Sequence, residues 1–350
     1  MAKKKEVIGY SIDKAIDSLY KNGGIVNLEE NPRFTQKVNT NRPSLQFVTD
    51  GGFPIGRLIL ISGMESAGKS SLAIQVGQII AEEMNKDLLY VDTEHTTTTD
   101  YVRQLVGGSA KRFNHCMPET TELMCDIIRR EIPKYGVIII DSINNSASNE
   151  RMQKEAGEFT MSNRARVLSE QLPILISLAD QHNTTLIVLS QVRDNMNKAN
   201  KYSPDTVVPG GRSLHHNSSL SIEMYPSMKK KEGKSDEMEL YETISGRMVK
   251  IKVVKNKVGK PFRSVELEFT YGLGYTIESD VASSAKRLGI LEMAGSWVKY
   301  KGTTLVQGID NLVPMLFDNP ELLEDLRSEI SQKTKKETEE TTVVKDVIEV

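Results

Sequence analysis

Cysteine is almost absent. Cys116 and Cys125 are the only two in 350 residues, too few for a disulfide scaffold and without the neighbours that make a zinc site. That usage fits a reducing cytosol. Long apolar stretches are missing too: no run approaches the roughly eighteen residues of a membrane-spanning helix. The opening MAKKKEVIGY carries lysines but lacks the apolar segment of a signal peptide, so the expectation is a soluble, cytoplasmic protein with no membrane partner. Nor is there an excess of one charge. Forty-five Lys and Arg against 47 Asp and Glu leave a net charge of −2, which removes the simplest argument for nucleic-acid binding; any such binding must come from a local cluster. What is present, 38% hydrophobic residues over this length, excludes extended disorder for most of the chain and suits one large α/β domain with appendages.

Along the chain, Ser11–Tyr20 reads as a short amphipathic helix with Ile12, Ala15, Ile16, Leu19 and Tyr20 on one face, followed by a strand-like Ile25-Val26. This segment (1–40 with its linker) either packs on its own core or docks on a neighbouring subunit. Glu29 to Ser44, with Pro32 and Pro43, reads as a polar linker. A βαβ pattern then begins: apolar runs at Leu58–Ile61, Leu88–Val91, Val137–Ile140 and Leu186–Leu189 are separated by helical stretches, as in a parallel sheet covered on both faces. Met248–Val254 and Val265–Phe269 alternate apolar and polar residues, an antiparallel hairpin closing a core over 41–271. Two helical patterns follow, Val281–Leu291 and Glu321–Ile330, the second behind the start signal Asp318-Asn319-Pro320. They mark a small C-terminal module over 272–330, and 331–350 reads as a disordered tail.

Gly63-Met64-Glu65-Ser66-Ala67-Gly68-Lys69-Ser70 fits G-x-x-x-x-G-K-[ST], the loop whose backbone N–H groups curl round phosphates at a helix N-terminus. A chance match arises in about one chain per hundred of this length, but here a strand precedes the loop and an amphipathic helix follows it. Lys69 is placed to reach the β- and γ-phosphates and Ser70 to put its hydroxyl on Mg²⁺. Asp141 ends an apolar run, either as the acid that holds the magnesium water shell or as a helix cap. Glu94, also past a strand end, is either the carboxylate that activates water or a solvated surface acid. Gln191 is a phosphate-sensing amide or an ordinary loop residue. All four positions fall just beyond strand carboxyl ends, where open parallel sheets bind ligands, and together they point to a nucleotide hydrolase. Two connections could meet nucleic acid: Asn149–Arg166, with Arg164 and Arg166, and Arg193–Arg212, with Arg193, Lys198, Gly210, Gly211 and Arg212. Acidic residues dilute both, and a solvated face is the plainer reading.

These residues give the chain its likeness. GMESAGKSSL, VDTEH, VIIIDS, LSQVR, the paired glycines, IKVVKNKVGKPF and MAGSWVKYKG stand in the order and approximate spacing of the RecA family of ATP-dependent DNA recombinases, which the chain resembles from about Ile8 to Ile330. The last two segments are the most specific. The match is to the bacterial type, diverged enough to fit a phage- or plasmid-encoded version. The resemblance implies a RecA-type P-loop ATPase core with a mainly parallel twisted sheet, an N-terminal oligomerisation helix and strand, and a small C-terminal α+β domain. It implies ATP and Mg²⁺ as cofactors, single- and double-stranded DNA as partners, and a homo-oligomeric helical filament with ATP between subunits. On this likeness Gly63, Glu65, Ser66, Ala67, Gly68, Lys69, Ser70 and Ser71 form the nucleotide cradle. Tyr101 stacks on adenine, Ser70 and Asp141 serve the metal, Glu94 activates water, and Gln191 couples ATP to the second DNA loop. Lys255 and Lys257 reach the neighbour's ATP, although from residues alone they read as a solvated turn. Met161, Arg164 and Arg166 line the DNA path.

Three departures stand out. Thr96–Thr99 replaces a less polar stretch, with Thr98 where the family's adenine-contacting aspartate stands. His215 and His216 replace an expected lysine and interface phenylalanine. The run Met228–Met238 lengthens a strand connection. The function implied is homologous pairing and strand exchange with DNA-dependent ATP hydrolysis. A ring-forming helicase and an ATP-gated, non-hydrolysing DNA-binding mediator are the alternatives. The Ile251–Phe262 segment speaks against the first and Glu94 against the second.

Overall fold

The computed structural model describes residues 36–108, 110–143, 146–148, 163–194, 206–207, 211–231 and 244–348. The chain divides into two units, Met1–Gln36 and Lys37–Val350. The expected helix at Ser11–Tyr20 and strand at Ile25-Val26 lie outside the described residues. The linker ends earlier than its composition suggests. Lys37–Val38 (β1) pairs antiparallel with Phe53–Pro54 (β2), which buries Val38 and Phe53. Pro43 opens a helix, α1 (Pro43–Val48), at the first helical position, where a missing N–H costs nothing.

Each apolar run then forms a strand, in the order β3 (Leu58–Gly63), α2 (Lys69–Glu83), β4 (Asp87–Asp92), α3 (Thr99–Leu105), β5 (Phe113–Cys116), α4 (Thr121–Glu131), β6 (Tyr135–Asp141), α5 (Asn163–His182) and β7 (Thr185–Gln191). A short pair, β8 (Arg193–Asp194) with β9 (Thr206–Val207), and α6 (Gly211–Asn217) lead to β10 (Leu220–Lys231), β11 (Ile244–Asn256) and β12 (Ser264–Thr270). The main sheet has the order β12-β11-β10-β3-β7-β6-β4-β5. From β10 to β5 all neighbours are parallel, and β11 and β12 add antiparallel.

Strand residues alternate between two cores, which is why the runs are apolar throughout. Ile59, Ile61, Tyr90, Ile139, Ile187 and Leu189 pack with α2. Leu58, Leu60, Leu89, Val91, Ile138, Ile140 and Val188 pack with Met124, Ile128, Leu168, Leu172 and Leu175 of α4 and α5. Each such side chain contributes about 1.5–3 kcal/mol by leaving water. The expected hairpin is there, with Val249 opposite Leu267 and Ile251 opposite Val265. Of the run Met228–Met238, the first four residues continue β10, where Lys231 pairs with Ile244; the rest lie outside the described residues. Burial pushes the Cys116 thiol up to about 11 and that of Cys125 to about 12, so neither is poised as a nucleophile.

The C-terminal module holds α7 (Ile277–Arg287), a three-stranded antiparallel sheet of β13 (Glu292–Ala294), β14 (Trp297–Tyr300) and β15 (Thr303–Gln307), a 3₁₀ turn at Ile309–Asn311, α8 (Leu312–Asp318) and α9 (Pro320–Ile348). Its own core includes Val281, Leu291, Val298, Leu312, Leu316, Leu326 and Ile330. α7 starts four residues before the apolar pattern does, because Thr276 caps it by accepting from the Ser279 N–H at 3.3 Å. Asn319 does the same for α9, accepting from Leu322 N at 3.1 Å. The expected disordered tail is a correction: α9 continues through Ile348. Between Glu321 and Val350 there is neither proline nor glycine to end it.

Candidate active site

Sheet register brings the strand-end residues together. Gly63 pairs with Gln191 and Asp92 with Asp141, so the carboxyl ends of β3, β7, β6 and β4 make one row. The loop between β3 and α2 is shaped by close approach. A Cβ on Gly63 would lie 2.4 Å from the Met224 carbonyl oxygen. Gly68 has φ +74°, and a Cβ there would meet the Tyr275 hydroxyl at 2.8 Å and the Phe269 ring at 2.9 Å. Only glycine satisfies both demands. Ala67 and Ser71 are buried, while Glu65 and Ser66 are exposed. Because Gly68 caps α2 without a side chain, the first-turn N–H groups and the helix dipole are left to an anion.

Lys69 is only 8% exposed, and its Nζ donates to the Met64 carbonyl at 2.7 Å. Burial lowers its pKa against the pull of Asp141, Glu94 and Glu65. One oxygen of Asp141, Oδ2, accepts from both Ser70 Oγ and Tyr90 OH at 2.5 Å. Burial raises the Asp141 pKa, although those two hydrogen bonds oppose it. Gln191 Nε2 donates to Glu94 Oε1 at 3.3 Å. Tyr101, on α3, shares a 2.7 Å hydrogen bond with Ser71 Oγ, which sets the start of α3 over the first turn of α2. Thr98 is the cap of α3 and accepts from Tyr101 N at 3.3 Å.

Sequence reasoning passed over Asp92. Its carboxylate is 1% exposed and accepts four backbone N–H groups: Oδ1 from Glu94 (3.0 Å) and His95 (2.8 Å), Oδ2 from Thr96 (3.1 Å) and Thr97 (3.0 Å). The segment that carries Glu94 is wound round it. Asp at a strand end followed by small polar residues is the available signal. Tyr90 was equally hidden, since it reads as one more core aromatic until its hydroxyl is seen on Asp141.

The other expected residues divide. Lys255 Nζ donates to the carbonyls of His215 (2.5 Å) and His216 (2.9 Å), and Lys257 Nζ to His216 (3.3 Å). Both lysines therefore sit at the C-terminus of α6 within their own protomer. Arg164 and Arg166 are not in a loop; they occupy the first turn of α5, and Arg166 pairs with Glu170 at 3.1 Å, an i,i+4 contact that favours helix there. Gly211 likewise starts α6, with Arg212 in its first turn, and Arg193 lies in β8. Met161, Lys198 and Gly210 lie outside the described residues.

Residues 7–276 match the family model described as RecA N-terminal domain, and 279–335 the one described as RecA C-terminal domain. The chain belongs to the RecA family. Protein RecA of Thermus thermophilus is 30% identical over 330 residues, covering 92% of each chain, and protein RecA of Wolinella succinogenes is 30% identical over 333, covering 93% of this chain and 91% of its own. A solved structure of the RadB recombinase superposes at a TM-score of 0.48 with 20% identity, over 67% of this chain and 96% of that one, a likeness too loose to argue from. As a RecA-family member, this is a DNA recombinase and a DNA-dependent ATPase. The junction between the two family regions, at 276–279, coincides with the capped start of α7. Among the described residues no helix is long and apolar enough to cross a membrane.

Proposed function

We propose that this cytoplasmic protein forms helical filaments on single-stranded DNA and uses an ATP site completed at the junction of two subunits to promote pairing and strand exchange with duplex DNA. The N–H groups after Gly63 and at the start of α2 take the phosphates, and Lys69 adds its charge to the β- and γ-phosphates. Ser70 and Asp141 are hard oxygen donors within 2.5 Å of each other, and no cluster of three or more His, Cys, Asp or Glu capable of holding a metal exists among the described residues. That donor set fits Mg²⁺, which takes one or two protein oxygens and otherwise phosphate and water. The ion would supply charge neutralisation at the transferring phosphoryl group.

Glu94 accepts the proton of the attacking water and Gln191 fixes its carboxylate. Tyr101 offers a ring beside the cradle for the base. The observation that carries this reading is the 3.3 Å Gln191–Glu94 bond, which joins the water-activating group to the strand leading into the second DNA-facing connection. At the far end of that connection, Lys255 of β11 and Lys257 just past it hold the carbonyls that end α6, from where they serve the neighbouring site. Arg164, Arg166, Arg193 and Arg212 flank the two DNA-facing segments.

ATP turnover with and without single-stranded DNA tests the reading in wild type, Lys69→Ala and Lys255→Ala. Each variant alone should lose at least 100-fold of the DNA-stimulated rate, on the order of an arginine-finger effect. Mixing the two should restore part of it through junctions that combine an intact cradle with an intact lysine. A mixture as inactive as its components would refute the shared site, and wild-type turnover indifferent to DNA would refute the filament.

A further inference from the structure

We propose that His115 is a positioning residue for hydrolysis, holding through Asp92 the segment that presents Glu94. The inference rests on the reading of Glu94 as the water-activating carboxylate. His115 lies on β5, the outermost strand of the main sheet. Its Nε2 sits 3.3 Å from Asp92 Oδ2, the oxygen that also accepts the Thr96 and Thr97 N–H groups. The N–H groups of residues 94–97 thus surround one carboxylate, and among the described residues His115 makes the only side-chain hydrogen bond to it. A carboxylate only accepts, so Nε2 carries the hydrogen.

The ring is only partly enclosed. It is 30% exposed, leans beside Tyr90 with centroids 6.0 Å apart, and helps line a cavity of about 420 Å³ with Thr97, Arg103 and Lys111. The charged groups around it are Asp92 on β4, Arg103 on α3 and Lys111 before β5. A purely packing role does not account for a polar ring aimed at a buried acid. A hydrogen bond that fixes where Asp92 stands, and with it the four amides leading away from Glu94, does.

Turnover under saturating single-stranded DNA separates the two. His115→Phe keeps a ring beside Tyr90 and loses the donor; kcat should fall about 10-fold with KM for ATP unchanged, because orientation rather than binding is lost. His115→Gln, whose Nε2 reaches as far, should stay within about 3-fold of wild type. In a Glu94→Gln background the His115→Phe change should alter the residual rate by less than about 2-fold, as expected for residues acting through one another. If His115→Phe fails to fold, His115→Met serves as the donor-free variant. An unchanged kcat in the donor-free variant overturns the proposal, as does an equal loss in both backgrounds or a Gln variant as slow as Phe. A Glu94→Gln protein with wild-type turnover would instead overturn the reading of Glu94, and this inference with it.

Discussion

Replacing Asp92 by Asn changes one atom and should disable the enzyme. Oδ1 of Asp92 accepts two backbone N–H groups and Oδ2 accepts two more together with His115 Nε2. An amide side chain keeps one oxygen, so its NH₂ must face at least two donors whichever way it turns. A hydrogen bond to a charged group contributes about 1.5–3 kcal/mol, and losing two amounts to roughly 3–6 kcal/mol before any donor–donor repulsion. A segment of four residues at the surface has no comparable reserve, because local opening free energies lie well below the global value. Residues 94–97 should therefore leave the carboxamide while the sheet stays intact. With about 1.4 kcal/mol per tenfold, DNA-stimulated turnover should drop by about 100-fold or more. Amide hydrogen exchange at Glu94, His95, Thr96 and Thr97 should rise together, with a far smaller change in the strands. pH gives a second handle. Burial would raise the Asp92 pKa, but the N–H donors and His115 outweigh it and hold it below the ordinary carboxylate value. A carboxylate lowered on folding contributes stability above its unfolded pKa and loses it as pH falls through the folded one, so protection of these amides should be lost only as pH falls below the ordinary carboxylate range. An Asn variant turning over within about 3-fold of wild type, with the four amides still protected, would refute the account.

Three further outcomes follow from the same geometry. Asp141 is raised by burial, so its charge costs stability at neutral pH; the favourable contribution exists at low pH and is lost as pH rises through the folded pKa. Asp141→Asn, able to accept from both Ser70 and Tyr90, should raise the melting temperature of the nucleotide-free protein while reducing turnover by about 100-fold or more; a lowered melting temperature would contradict this. Gly68→Ala should abolish ATP binding, measured by fluorescent nucleotide titration, since φ +74° alone costs about 1–2 kcal/mol and the new Cβ meets Tyr275 and Phe269 below 3 Å. Ile139→Ala, at a fully buried position packed near Gly77, should cost about 2–5 kcal/mol in denaturant unfolding, without changing which residues contact nucleotide.

How much of this was legible beforehand differs by element, for physical reasons. β3, β4, β6 and β7 announce themselves because each strand is buried on both faces and must be apolar at every position. β5 could not, since Phe113–Cys116 is an edge with no fully buried residue. Helices α4 and α7 are opened by Thr120 and Thr276, caps that a search for apolar periodicity does not weigh. In the tail, charge and threonine read as disorder, yet nothing from 331 to 348 is a proline or glycine that would stop the helix begun at Pro320. In the site, the glycines, Lys69 and Ser70 stand out in the sequence because a phosphate cradle demands fixed types at fixed spacing. Asp92 and His115 meet across a strand pair, 23 residues apart in sequence, and no spacing rule reaches that far. The lysines were placed by likeness alone, and the structure adds what likeness did not: their hold on the carbonyls of α6.

That hold bears on how the site is completed. Around Lys69 lie three carboxylates, those of Asp141, Glu94 and Glu65, and a single divalent ion at Ser70 and Asp141 would only bring the set to neutrality before any triphosphate arrived. The negative charge that develops on a transferring phosphoryl group then calls for cations beyond this set of residues. Lys255 and Lys257 are cations tied to carbonyls at the exposed end of α6. Burial, then the charge of Lys257, lower the pKa of Lys255, so the pair is under mutual repulsion that a phosphate anion would relieve. Two like charges held side by side on one face gain most by meeting an anion supplied by another copy, and an ATP site short of positive charge is such an anion. The expected consequence is reciprocal: ATP should tighten subunit association, and Lys255→Ala should remove that ATP dependence, measured by sedimentation with and without nucleotide, while leaving nucleotide-free association unaltered. Equal ATP dependence in wild type and variant would break the link between the lysines and the neighbouring site.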